Sequence, residues 1–176
     1  MENVLLSLLV IILVVGAACT DFLWHKIPNI LTFPSMGVGI VGHGLVNGWE
    51  GLGFSLGGLG LGLILLLGFY AMGGMAAGDV KLMAAVGAFV GPLNVFLVFL
   101  MTAILGGFYS IGMMIQGSGF RGMLERVGMM FKTLFLTRKV KMAFVGNDES
   151  EVKLRYGLVI ALGTLTFQFW YWIGFV

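Results

Sequence analysis

Two aspartates are the residues best placed to do chemistry. The chain holds eight acidic side chains, and six of them have ordinary settings. Glu2 and Glu50 fall at the ends of apolar runs, Glu125 lies in a basic amphipathic stretch, and Asp148, Glu149 and Glu151 share the polar turn GNDESE. The other two are Asp21, in CTDFLWHKIPNILTFP, and Asp79, in MAAGDVKLMAAVG, both bordered by apolar sequence. Two carboxylates held close together can hydrolyse an amide without a metal. One takes a proton from water while the other donates to the carbonyl, because like charges at short range leave the pair holding one proton. Each residue also has a plainer reading taken singly. Asp79 can cap a helix, since Asp is a favoured capping residue, and Asp21 can be an interfacial residue. It is the pair that points to chemistry.

Composition says where this chemistry would happen. Of 176 residues, 59% are hydrophobic and 10% charged, with a mean hydropathy of +1.04. A soluble domain carries about a quarter charged residues, and apolar runs of bilayer-crossing length recur here along the whole chain. An integral membrane protein is expected, forming a single membrane domain over residues 1–176 with the lipid bilayer as partner. One cysteine, Cys19, excludes an internal disulfide framework and a CxxC zinc site, and two histidines, His25 and His43, are too few for a histidine-rich metal centre. Neither a metal nor another cofactor is expected, nor nucleic acid as a partner. The sequence gives no oligomeric state. The N-terminal MENVLLSLLVIILVVGAAC lacks the basic start of a secretory leader, so it is read as a span.

An all-α bundle of six transmembrane helices is expected, at about 3–20, 30–47, 52–72, 80–91, 95–115 and 156–175. The stretch from Lys81 to Gln116 is too long for one crossing of a ~30 Å core, and Gly91-Pro92-Leu93-Asn94 is the natural turn within it. With this division all ten basic residues fall in loops one, three and five, eight of them in the fifth. The positive-inside rule then makes those loops cytoplasmic and puts both termini outside, in a multi-pass protein of the cytoplasmic membrane. The fifth loop, about 116–155, carries Leu124, Val127, Phe131 and Leu134 at helical spacing, with Arg126 and Lys132 off that face. It reads as a basic amphipathic helix on the inner leaflet, with docking of a substrate as the alternative. The chain's many glycines, Gly53, Gly57 and Gly60 among them, are expected to be helix-packing positions.

These elements put Asp21 and Asp79 at one face. Asp21 ends the first span and Asp79 begins the fourth, both on the cytoplasmic side. A helix from Val80 to Gly91 rises only ~18 Å, short of a ~30 Å core, so Asp79 is expected below the membrane surface, where ionisable groups are rare and usually functional. Gly78, after a loop of small residues, lets backbone approach an extended peptide, and the helix start favours a carboxylate.

Asp21 followed by Lys26-Ile27-Pro28-Asn29, then Gly78-Asp79-Val80-Lys81-Leu82 and a later Gly87 and Gly91-Pro92, resembles the type IV prepilin peptidases, membrane aspartic proteases of the GxGD type. The resemblance covers most of the chain. It implies an endopeptidase that removes the short basic leader of prepilins or pseudopilins at the cytoplasmic face, with Asp21 and Asp79 as the catalytic pair and no metal. Supporting or substrate-binding positions are Gly78, Lys81, Ala76, Lys26, Pro28 and Asn29. The chain departs from the pattern in two respects. Ala76 stands where the motif has glycine, so the sequence reads Ala76-Ala77-Gly78-Asp79. The first loop is short and Cys19 is alone, whereas larger members carry a paired-cysteine zinc insertion and methylate the new N-terminus. The chain thus looks like the short, peptidase-only form of tight-adherence (Flp-type) pilus systems, without N-methyltransferase activity. The rival reading from another class is a small proton- or ion-coupled transporter using the same aspartates, although no internal repeat supports it. A structural pilus-assembly subunit is a third. His25 beside Trp24 is read as interfacial, and His43 as a packing or hydrogen-bonded residue within the second span.

Overall fold

Long apolar segments punctuated by glycine and proline give a wholly helical chain. A computed structural model describes residues 4–71, 75–116 and 156–174, and no strand occurs among them. The helices are α1 (Val4–Trp24), α2 (Asn29–Ala71), α3 (Ala77–Val90), α4 (Pro92–Gln116) and α5 (Tyr156–Trp172). Three of them, α1, α2 and α4, are long and apolar enough to cross a membrane. Large apolar side chains such as Ile30, Leu45 and Trp49 are more than four-fifths exposed. On a water-facing surface these would drive association, whereas lipid tails match them. The amphipathic segment expected at 116–155 lies outside the described residues, apart from Gln116 at the end of α4.

The expected count of six helices is not supported: the described residues form five. The segments expected at 30–47 and 52–72 are the two helical arms of α2, joined at a kink at Gly48 in place of an open loop. Only Gly48 departs, with φ 58° and ψ −135°, a conformation that costs glycine little. At ~1.5 Å per residue, 43 straight residues would run far beyond a bilayer. The bend at Gly48 instead returns the chain against α3. Before the bend, Asn29, Gly39 and His43 meet Lys81, Ala88 and Phe89 in parallel order. Beyond it, Gly58 and Gly62 meet Gly87 and Met83 in antiparallel order.

Helix α3 is the centre of the packing. Leu82 to Val90 are all buried, surrounded by side chains of α1, α2, α4 and α5 such as Val10, Leu66, Val98 and Ile160. Close approach of α2 requires glycine, because a Cβ at Gly58 would run into the Gly87 carbonyl and one at Gly87 into the Gly58 carbonyl. The glycines named from sequence do not do this work. A Cβ at Gly53 or Gly60 meets nothing among the described residues, and one at Gly57 meets only Pro92. The packing face is Gly51, Ser55, Gly58, Gly62 and Leu66, in helical register.

The C-terminal end of α3 is closed by its neighbours. The last four carbonyls of a helix have no partner within it. Here Gly91 N–H donates to the Gly87 oxygen (2.9 Å), Ser55 Oγ to Ala88 (2.7 Å), His43 Nε2 to Phe89 (2.7 Å) and Asn94 Nδ2 to Val90 (3.0 Å). The expected turn at 91–94 shrinks to one residue, Gly91 at φ 81°, and Pro92 opens α4 where its missing N–H costs nothing.

Candidate active site

Asp21 lies in the last turn of α1, which runs three residues beyond it to Trp24. His25 then stops the helix with φ 52°, its N–H bonded to the Asp21 carbonyl (3.0 Å). The Asp21 side chain is buried, and its Oδ2 accepts the Leu158 N–H (3.3 Å) in the first turn of α5. There the helix dipole favours a carboxylate. Asp79 is the third residue of α3 and is equally buried. Its Oδ2 accepts the Ala76 N–H (3.2 Å), so it does cap its own helix in addition to anything else it does. The two carboxylates lie within electrostatic range of each other, and so do Asp79 and Tyr156.

Ile27 fits between the start of α3, which bears Asp79, and the start of α5, which faces Asp21. A Cβ at Gly78 would stand 3.2 Å from Ile27 Cβ, and one at Gly157 only 2.9 Å from Ile27 Cδ1. Gly157 also faces Asp21 directly: the same Cβ would be 2.9 Å from Asp21 Oδ2. Sequence reasoning passed over Ile27, Tyr156, Gly157 and Leu158. The only local signal was Ile27's place in Lys26-Ile27-Pro28-Asn29.

The other expected residues divide into two groups. Ala76 has φ −80° and ψ 151°, ordinary for any L-residue, so the alanine meets no backbone demand for glycine here. Gly78 accommodates Ile27. Lys81 Nζ donates to Asn29 Oδ1 (2.9 Å) and sits 5.1 Å from the centre of the Phe33 ring. It thus ties α3 to the start of α2, and a cation over an aromatic face adds to that hold. Pro28 precedes that helix start and its carbonyl accepts the Leu31 N–H (3.0 Å), while Lys26 is exposed. No group of three or more metal-ligating side chains occurs among the described residues.

Residues 7–111, well over half the chain, match the sequence model of the type IV leader peptidase family. The chain belongs to that family. The matched region runs from α1 into α4 and contains both Asp21 and Asp79, whereas α5 lies beyond it. Searches of curated proteins and of solved structures each returned no match. Family membership makes this a peptidase of a membrane-bound kind, and a prepilin-type substrate is what the family implies in general.

Proposed function

We propose that the chain is a membrane aspartic endopeptidase that removes the short basic leader of type IV prepilins or pseudopilins at the cytoplasmic face of the inner membrane. The protein acts as one membrane unit, with both termini outside and without N-methyltransferase activity. Asp21 and Asp79 form the catalytic pair. The observation that carries the reading is two buried carboxylates, from α1 and α3, within electrostatic range of each other in a chain of the leader peptidase family. One carboxylate takes a proton from the water that attacks the scissile carbonyl, while the other, protonated, donates to the carbonyl oxygen. The first then passes its proton to the departing amine as the C–N bond breaks, and the second recovers its proton from the diol hydroxyl. Lys81 and Asn29 hold the start of α2 against α3, the Pro28 carbonyl bonds the Leu31 N–H at that start, and Ala76 fixes the orientation of Asp79 through its N–H. Lys26, exposed in the short connection after α1, is available to an incoming peptide.

The test is leader removal from a prepilin by the purified protein, with Asp21→Asn and Asp79→Asn compared to wild type. Each variant loses cleavage by at least about a thousandfold, the scale on which essential groups of a catalytic unit act. Full cleavage by either variant excludes the pair.

A further inference from the structure

We infer, on the reading of Asp21 and Asp79 as the catalytic pair, that Ile27 is a positioning residue for it. Its side chain sets how far apart the starts of α3 and α5 stand, and with them the two carboxylates. The side chain bridges two glycines that adjoin the aspartates. A Cβ at Gly78 would stand 3.2 Å from Ile27 Cβ and 3.6 Å from its N and O, so the start of α3 lies against the Ile27 backbone. Asp79 is the next residue of that helix. A Cβ at Gly157 would stand 2.9 Å from Ile27 Cδ1, so the start of α5 lies against the tip of the side chain. Leu158, which follows Gly157, gives its N–H to Asp21 Oδ2. That oxygen and Ile27 Cδ1 are both 2.9 Å from the same point, which makes the methyl and the carboxylate neighbours.

The local sequence suits Ile27 to this task. Its connection is tied at both ends: His25 N–H bonds the Asp21 carbonyl (3.0 Å), and Asn29, which opens α2, accepts the Lys81 ammonium of α3 (2.9 Å). Pro28 disfavours helical backbone at the residue before it, and Ile27 lies outside both helices. Branching at Cβ restricts χ1, so Cδ1 is the atom of the side chain left to adapt. The side chain is partly buried and packs against the core, so its apolar tip keeps water from one side of Asp21. Valine at this position lacks Cδ1 and keeps the rest. The gap then lets the Asp21 carboxylate or a water move in, and a shift of ~1 Å in a reacting group costs up to about a hundredfold in rate.

The test is steady-state leader cleavage by the full chain in detergent, with kcat and KM separated and the melting temperature measured alongside. Ile27→Val lowers kcat about tenfold, with KM unchanged and a small change in melting temperature. Val98→Ala, a truncation in the fully buried part of α4, is the comparison: it lowers melting temperature and retains kcat. The contact itself is read from Gly157→Ala with and without Ile27→Val. In the double variant the added methyl takes the space that Cδ1 leaves, so kcat falls by less than the product of the two single effects. Wild-type kcat in Ile27→Val, an equal loss of kcat in Val98→Ala, or a strictly multiplicative double variant overturns the assignment. Asp21→Asn and Asp79→Asn in the same assay separate the two levels. Full cleavage by either removes the pair itself, whereas their inactivity beside an unaffected Ile27→Val removes only the role of Ile27.

Discussion

Adding one methyl group at Gly157 tests whether the start of α5 positions Asp21. Its Cβ would stand 2.9 Å from Asp21 Oδ2, 3.0 Å from Asp21 Cγ and 2.9 Å from Ile27 Cδ1. Comfortable carbon contacts lie at ~3.5–4.0 Å, so about 0.5–1 Å of movement is needed. Ile27 Cδ1 is the flexible end of its side chain and gives way at small cost. The carboxylate is also displaced, and its Leu158 N–H bond, already 3.3 Å long, stretches beyond hydrogen-bonding range. A misplacement of this size costs ~10–100-fold in rate, or about 1.4–2.7 kcal/mol of activation free energy. Fold stability changes less, because alanine in a helix gains ~0.5–1 kcal/mol over glycine and offsets the crowding. The assay is steady-state leader cleavage by Gly157→Ala in detergent, with kcat and KM separated and the melting temperature measured alongside. The expected result is a fall in kcat with KM and melting temperature nearly unchanged. Gly163→Ala is the control, since its Cβ would crowd Thr102 between α4 and α5, and it should lower melting temperature instead of kcat. Wild-type kcat in a folded Gly157→Ala enzyme refutes the argument that α5 holds Asp21.

Lys81→Met and Asn29→Ala should each lower stability by ~0.5–1.5 kcal/mol, and the double variant by less than their sum, as measured in a thermal or denaturant double-mutant cycle. Ala76→Gly should retain cleavage and lose ~0.5–1 kcal/mol of stability: φ is −80° there, so glycine relieves nothing and only loosens the unfolded chain. Gly87→Leu should abolish accumulation of folded protein, read by size-exclusion chromatography, because the Gly58 backbone occupies the space the side chain needs.

The chain's helical character was legible because bilayer-length apolar runs leave few alternatives. The burial of Asp21 and Asp79 was legible because both are bordered by apolar sequence. The place where α2 turns was legible too, since Asn47-Gly48-Trp49-Glu50-Gly51 reads as a loop and the kink falls at Gly48; that a single residue outside helical geometry suffices for the turn was not. Nor was the glycine face: with glycine at 51, 53, 57, 58, 60 and 62, several registers are possible, and only contact with α3 selects 58 and 62, while Gly51 packs on His43 across the kink of α2. Gly157 and Leu158 escaped for another reason. They lie more than 130 residues from Asp21, and a pairing over that separation leaves no local pattern.

The closed end of α3 bears on how the protein tolerates different membranes. A helix whose final carbonyls depend on headgroups or water must keep that end at the lipid surface. The end of α3 is instead satisfied by Gly91, Ser55, His43 and Asn94, all within the protein. Its height is therefore set by the helices around it. A thicker or thinner bilayer alters the tilt and lipid contacts of α1, α2 and α4, while Asp79 keeps its place relative to Asp21.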